Sequence, residues 1–157
     1  MQDSNIKQNF LNSMRGITST VNVISAAAKG QRHAMTATSV TSLSLDPPSM
    51  LVCVNKEASL HKILLDNSNF CINVLSSLQK ELAEVCSNSE EGESRFVSES
   101  WKDHGPYIYN EKALSNIFCT KTNQVDHTSH TIFIGSVESV INSRDLKPLL
   151  YGSGGYL

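Results

Sequence analysis

The sequence predicts a mainly β protein, an antiparallel barrel with a few short peripheral helices. About seven segments have the alternating or continuous apolar character of strands, whereas roughly three short segments have helical spacing. The two kinds of segment do not alternate regularly, which argues against a parallel sheet with crossover helices. Turn residues such as Lys29-Gly30, Pro47-Pro48 and Gly105-Pro106 separate the strand-like segments, as is typical of all-β folds.

The composition indicates one globular domain over residues 1–157. Hydrophobic residues make up 39% and charged residues 18% of the chain, which is enough for a real core. The formal charge of -2, without any Lys/Arg cluster, gives no general attraction to nucleic acid or to an anionic membrane.

The 4 cysteines have no Cys-x-x-Cys spacing, so we expect buried free thiols in a reducing compartment rather than a metal site. The N-terminus lacks a signal-peptide pattern and the apolar runs are far shorter than a membrane span, which predicts a cytoplasmic location.

The first third of the chain predicts a helix followed by two strands. Residues 6–14 carry apolar side chains at helical spacing, which predicts a short packing helix. Residues 18–28 alternate as a strand. In the next strand the apolar parity shifts between Val40 and Leu43, which predicts a bulge or bend, and Pro47-Pro48 ends that strand.

The stretch from Met35 to Ser42 is unusually rich in hydroxyl side chains, with the sequence MTATSVTS. Hydroxyl and backbone N–H donors can close around the phosphate of a cofactor without any positive charge. The alternative is a half-buried strand whose Thr side chains face water.

A second anion-binding corner is predicted after the next strand. Residues 50–54 are apolar on both faces, which is typical of a strand covered on both sides. This strand leads to Asn55-Lys56 and then to a helix from about Ala58, with Ser59 in its first turn. A helix N-terminus favours anions, and Lys56 can neutralise their charge. The alternative is that Ser59 is an ordinary N-cap.

The middle of the chain predicts a strand, a helix and a loop. Residues 70–75 are strand-like, and the amide of Asn73 within them must find hydrogen-bond partners in the protein or in a ligand. Residues 78–85 have helical spacing. Residues 87–94 are rich in Ser, Glu and Gly, which predicts a solvated loop and the most mobile part of the chain.

The last third of the chain predicts two long strands and a glycine-rich end. The strands cover residues 113–125 and 130–137. Gly135 breaks the parity of the second strand, which favours a barrel corner or a close approach of two backbones. Residues 149–156 complete the chain with a short apolar run and three glycines.

Taken in order, these segments resemble the flavin reductase family, whose fold is the FMN-binding split β-barrel, and especially its members that serve two-component monooxygenases. The resemblance covers nearly the whole chain. The matching segments are residues 10–23 (FLNSMRGITSTVNV), 35–48 (MTATSVTSLSLDPP), 51–55 (LVCVN), 70–75 (FCINVL), Arg95-Phe96, 130–137 (HTIFIGSV) and 149–156 (LLYGSGGY).

The resemblance implies an NAD(P)H:flavin oxidoreductase. NADH or NADPH passes a hydride to bound FMN or FAD, and the reduced flavin leaves for a partner monooxygenase. No Arg cluster for a 2′-phosphate is present, which favours NADH. The resemblance also implies a homodimer. Two alternatives use the same barrel: a non-enzymatic FMN-binding electron carrier or flavin-binding module, and a flavin-free binding domain.

The resemblance also implies the site residues, none of which is a metal ligand. The ring edge and phosphate of the flavin are assigned to four consecutive residues, mostly through backbone groups: Thr36, Ala37, Thr38 and Ser39. Ribityl or phosphate oxygens are assigned to Asn55, Lys56 and Ser59. His130, as the catalytic residue, and Tyr156 lie where the nicotinamide stacks, and Arg95 binds phosphate or anchors a loop.

The sequence departs from the family pattern just before His130. Many relatives have Gly-Asp there, whereas this chain has Thr128-Ser129. The missing Asp removes a partner that could orient or charge the imidazole. Because His127 lies three residues earlier, a shifted alignment is an alternative.

Overall fold

The computed structural model describes residues 2–98, 100–144 and 147–157. These residues form three α-helices, one 3₁₀ helix and twelve strands. The helices are α1 (Gln2–Arg15), α2 (Ser59–Asp66), α3 (Lys80–Ser87) and the 3₁₀ helix (Ser89–Phe96). The strands are β1 (Ser19–Thr20), β2 (Asn22–Ala28), β3 (Gln31–Ala37), β4 (Val40–Leu45), β5 (Pro48–Asn55), β6 (Asn69–Val74), β7 (Trp101–His104), β8 (Tyr107–Asn110), β9 (Ser115–His127), β10 (His130–Asn142), β11 (Leu150–Gly152) and β12 (Gly155–Tyr156).

The main sheet has seven strands in the order β3-β2-β6-β9-β10-β5-β4. Its neighbouring strands are antiparallel throughout. The two edge strands, β3 and β4, follow each other directly in the chain and are joined by Thr38-Ser39. A three-stranded sheet β1-β11-β12 and a hairpin β7-β8 complete the fold. The prediction of a mainly β, antiparallel fold with peripheral helices is confirmed.

The structure refines the predicted strands in the first third of the chain. Residues 18–28 form two strands in different sheets, because Val21 between them donates its N–H to Leu149 O (2.8 Å) and accepts one from Leu75 N (3.0 Å). The register of β4 against β5 shifts between Ser42 and Ser44, which confirms the predicted bulge. Pro48 begins β5, so the chain turns through Asp46-Pro47.

Two expectations about helical segments are wrong. The apolar face of α1 does not pack within the chain, since Ile6 is 67% and Phe10 62% exposed. Residues 87–94 are not a loop; they contribute to α3 and to the 3₁₀ helix, whose last residues, Arg95 and Phe96, are buried. Among the described helices, none combines the length and apolar character needed to cross a bilayer.

The larger core cluster fixes α2 against the sheet. Leu60, Ile63 and Leu64 of α2 are buried in it. Strands of the main sheet supply its other large members, which include Ile24, Val52, Val54, Phe70, Ile72 and Phe133. Burial of each such side chain stabilises the fold by about 1.5–3 kcal/mol. The start of α2 therefore has a fixed place at one end of the sheet.

Asn73 makes its hydrogen bonds inside the protein. Its amide N–H groups donate to Val23 O (2.8 Å) and Ser25 Oγ (2.9 Å). Its Oδ1 accepts from Asn110 N (2.8 Å) and Asn116 Nδ2 (2.9 Å). Because these partners lie on β2, β8 and β9, the buried amide connects three strands, and the structural interpretation of Asn73 is confirmed.

Gly135 lies where a close approach excludes a side chain. A Cβ atom at this position would lie 2.8 Å from Phe70 Cζ and 2.9 Å from Cys119 Cβ. The register of β10 against β9 also shifts between Ile134 and Gly135. The glycine is therefore required by close packing, but against side-chain atoms rather than the predicted second backbone, and a local irregularity of the strand coincides with it.

We expect Gly135→Ala to lower the free energy of unfolding by about 1–3 kcal/mol, because the new methyl group must displace a packed ring and a strand. Gly155→Ala is the matched control, since a Cβ at Gly155 meets no atom within 4 Å. Urea denaturation of both variants measures the difference. Equal stabilities of the two variants would contradict the close approach.

Candidate functional site

The bend between β3 and β4 presents free backbone donors. Among the described residues, no hydrogen bond engages the backbone N–H of Thr38 or Ser39. The carbonyl groups of both residues are used, since Thr38 O accepts from Val40 N (2.9 Å) and Ser39 O from Cys53 N (3.0 Å). The hydroxyl of Thr36 donates to Ala83 O of α3 (2.6 Å). The bend therefore offers main-chain N–H groups.

A cavity of about 460 Å³, which we call the bend cavity, lies beside these residues. It brings together four of the predicted site residues: Thr36, Ala37, Thr38 and Tyr156. Its other lining residues are Val21, Ser87, Tyr151, Gly154 and Gly155. The mixture of aromatic, small and hydroxyl groups suits a flat ring with polar edges.

Tyr156 and Tyr151 form the aromatic part of the bend cavity. Their rings meet edge to face with centroids 5.5 Å apart. Desolvation by burial raises the pKa of Tyr156, and the nearby Glu84 carboxylate adds to this effect. The Tyr156 phenol therefore stays protonated at neutral pH and can donate a hydrogen bond.

A second cavity, of about 400 Å³, lies at the start of α2, and we call it the α2 corner. It contains the predicted residues Lys56 and Ser59. Its other lining residues are Gln31, His33, Glu57, Ala58, Lys62 and Ile63. The N-cap residue of α2 is Ala58, without a side-chain cap. The interpretation of Ser59 as an ordinary N-cap is therefore wrong, and its Oγ lies 3.2 Å from His33 Nδ1 instead.

His130 lies next to Asn55 and Lys56. It is the exposed first residue of β10, paired with Asn55 of β5 on one side and with His127 of β9 on the other. Lys56 N donates to Ser129 O (2.9 Å), which fixes the β9-β10 turn against the α2 corner. Ser129 Oγ lies 2.8 Å from His130 Nδ1. Ser129 thus gives the imidazole a polar partner where many relatives have an Asp nearby.

A relay of three side chains supports the same turn; His61 and Thr131 are buried, and Asp126 is exposed. His61 Nε2 lies 2.7 Å from Thr131 Oγ1, and that hydroxyl donates to Asp126 Oδ1 (2.7 Å). The Thr131 proton is therefore used, so His61 donates from Nε2. Desolvation lowers the pKa of His61 despite the opposing charge of Asp126. The relay connects α2 to the strands on either side of the turn.

Arg95 lines neither the bend cavity nor the α2 corner. Its buried guanidinium donates to Ala34 O (3.0 Å) and to Asn88 O (2.7 Å). Ala34 belongs to the edge strand β3, so these contacts hold the 3₁₀ helix against that edge. They are the contacts of a loop-anchoring residue.

Sequence reasoning missed His33, Tyr151 and the relay residue His61. The alternation of β3 places His33 on the same strand face as Met35, two residues before the hydroxyl-rich stretch. The position of His33 next to the hydroxyl-rich stretch was therefore the one sequence feature that could have marked it as a site residue. The partners of His61 and His33 lie 70 and 26 residues away in the chain, and no local pattern reports contacts of this kind.

The fold is an antiparallel β protein with a cavity of about 460 Å³ at the bend between its edge strands and a second one, of about 400 Å³, at the start of α2. Residues 14–157 match the family described as "Flavin reductase like domain". The chain belongs to this family, and the resemblance stated from the sequence is confirmed.

Relatives and solved structures agree with this assignment. The chain is 39% identical, over 96% of its length and 86% of the relative, to "FADH(2)-dependent resorcinol hydroxylase, reductase component" of Rhizobium sp. (strain MTP-10005). It is 30% identical to "FMN reductase (NADH) RutF" of Pantoea ananatis (strain LMG 20103), over 92% of this chain and 77% of that protein. BorF, the flavin reductase component of a bacterial two-component tryptophan halogenase, superposes with a TM-score of 0.86 at 28% identity, covering 96% of each chain.

Proposed function

We propose that this chain is an NADH-dependent flavin reductase that reduces FMN or FAD and supplies the reduced flavin to a partner monooxygenase. The 39% identity, over 96% of the chain, to a protein named as the reductase component of a hydroxylase carries this proposal. The names of the relatives include both FMN and FADH2, so either flavin is a candidate. The single domain over residues 1–157 and the cytoplasmic location stay predictions.

The residues of the two cavities fit a flavin nucleotide. The free N–H groups of Thr38 and Ser39 suit the carbonyl and nitrogen acceptors of a ring edge. Tyr151 and Tyr156 offer aromatic surface beside the bend. Lys56 and Ser59 offer a cation and a hydroxyl to a phosphate in the α2 corner.

The protein's own residues bind and orient the reactants. When bound, the flavin supplies the electron chemistry by accepting a hydride from the reduced nicotinamide. No acid–base pair is required of the protein, which must hold the two rings in register. We assign the nicotinamide side to His130 and Tyr156, with Ser129 orienting the His130 imidazole through Nδ1.

We expect the purified chain to oxidise NADH rapidly only when FMN or FAD is added, and to release the reduced flavin. Steady-state NADH oxidation with FMN, FAD and riboflavin in turn measures this, and NADPH in place of NADH tests the donor. An electron carrier or flavin-binding module would instead hold flavin tightly and turn over little NADH. Negligible turnover with all three flavins would therefore reject the proposal.

We expect His130→Ala to slow hydride transfer at least about tenfold, or ~1.4 kcal/mol of activation free energy, with little change in flavin affinity. Stopped-flow flavin reduction gives the rate, and fluorescence titration gives the dissociation constant. His127→Ala is the matched control, because His127 pairs with His130 across the same hairpin and is also exposed. A larger loss in His127→Ala would instead support the shifted alignment.

We also propose that the chain forms a homodimer through α1. The helix presents a continuous apolar face to solvent, which includes Ile6, Phe10, Leu11 and Met14. Leu11 and Met14 also line a cavity of about 540 Å³ with Thr38 and Tyr151, next to the bend. A second copy that covers this face would bury apolar surface and close the cleft from outside.

We expect Phe10→Glu to convert a dimer into a monomer, because it places a charge in the centre of the apolar face. Sedimentation velocity measures the change. Asn12→Glu is the matched control, since helical geometry places residue 12 on the opposite face of α1. A dimer that survives Phe10→Glu would show that another surface forms the interface.

A further inference from the structure

The α2 corner contains a histidine that the family pattern does not assign. His33 lies on β3, half-buried, and its Nδ1 is 3.2 Å from Ser59 Oγ at the start of α2. The cavity around this contact, about 400 Å³ in volume, is also lined by Lys56 and Lys62. Glu57 is the carboxylate among its lining residues. Two ammonium groups, an imidazole and a hydroxyl therefore surround one small space.

We propose that the α2 corner is a phosphate subsite in which His33 controls whether Ser59 donates a hydrogen bond to the ligand. This inference rests on the proposed function and deepens it, because it names the group that recognises the nucleotide phosphate. The ligand chemistry is a phosphate ester, carried by the flavin nucleotide or by the nicotinamide nucleotide.

The control follows from the single proton of the Ser59 hydroxyl. When Nδ1 of His33 carries a proton, it donates to Ser59 Oγ, and the Ser59 O–H is free to donate to a phosphate oxygen. When Nδ1 is deprotonated, it accepts the Ser59 O–H, and Ser59 then presents lone pairs to the anion. In the imidazolium both ring nitrogens carry protons, so the contact favours phosphate; in the neutral ring with its proton on Nε2, the same contact opposes phosphate.

The surroundings of His33 favour the neutral imidazole in the free protein. Burial lowers its pKa, the Arg95 guanidinium lowers it further, and the Glu93 carboxylate opposes both. Glu93 is itself paired with Arg32 at 2.8 Å, and Lys56, Lys62 and Glu57 face His33 from the α2 corner. A phosphate dianion in the cavity stabilises the imidazolium. Affinity for a phosphorylated ligand therefore falls as the pH rises and His33 loses its proton.

The test compares FMN with riboflavin, which lacks the phosphate, at about pH 6 and about pH 8. We expect wild-type protein to bind FMN more tightly at the lower pH, and His33→Ala to weaken FMN binding at that pH by about tenfold, as for one lost hydrogen bond to a charged group. Riboflavin affinity should change less than about twofold, since riboflavin makes no phosphate contact.

A second variant, His33→Asn, offers a donor near the position of Nδ1 at every pH. It should restore FMN affinity and remove the part of its pH dependence that comes from His33. His127→Ala is the control for an exposed histidine outside the corner.

The remaining outcomes identify the source of the phosphate or overturn the proposal. If FMN affinity is unchanged but His33→Ala raises the KM for NADH with riboflavin as acceptor, the subsite holds the phosphate of the nicotinamide nucleotide. If His33→Ala weakens FMN and riboflavin binding equally, the subsite is overturned. It is also overturned if His33→Ala changes neither the FMN affinity nor the KM for NADH. Because FMN titration needs no turnover, an inactive wild-type protein would reject the proposed reductase function without deciding this test.

Discussion

One covalent constraint shapes the whole molecule: the two edge strands of the main sheet are consecutive segments of the chain. A flat sheet of seven strands would place its edges roughly 29 Å apart. Ala37 and Val40, which end β3 and begin β4, are three residues apart, and three residues span at most about 11 Å. The sheet must therefore curl until its edges nearly meet. No side chain fits between β10 and Phe70 at Gly135. The glycine therefore lets the strands pack closely where the sheet curves.

The position of the candidate site follows from the same constraint. A sheet edge carries backbone groups that no ladder uses, and most proteins cover or pair them. Here Arg95 binds Ala34 O on the β3 edge, and the buried Phe96 follows it in the 3₁₀ helix. At the bend, the N–H groups of Thr38 and Ser39 stay free within the described chain. An uncovered donor pair beside an aromatic cavity is what a planar, acceptor-rich ligand needs.

Local sequence patterns predicted most strands and helices well, but they did not predict which parts of the protein these elements contact. Apolar alternation located the strands, and the parity shift after Val40 located the bulge at Ser42-Ser44, because both are properties of a single strand. The packing of α1 could not be predicted, since an apolar stripe does not say which molecule covers it. The 3₁₀ helix was missed because Arg95 and Phe96 are held mainly by contacts distant in the chain or beyond the segment: Arg95 binds Ala34 O of β3 as well as Asn88 O, and Phe96 packs on Trp101. The pairing of His33 with Ser59 needs the packing of α2.

The two cavities differ in the chemistry of their lining residues. The α2 corner contains two lysines, an imidazole and one hydroxyl, and its residue Lys56 follows the strand end at Asn55. The bend cavity contains tyrosines and small residues. Asn55 pairs with His130, and Lys56 N donates to Ser129 O, so the corner that we propose for the phosphate lies next to the proposed catalytic imidazole. The His61–Thr131–Asp126 relay keeps that turn in register with α2. Hydride transfer depends steeply on the distance and alignment of two rings. In the function that we propose, a rigid connection between the phosphate anchor and the His130 imidazole would help to hold the two rings at that distance.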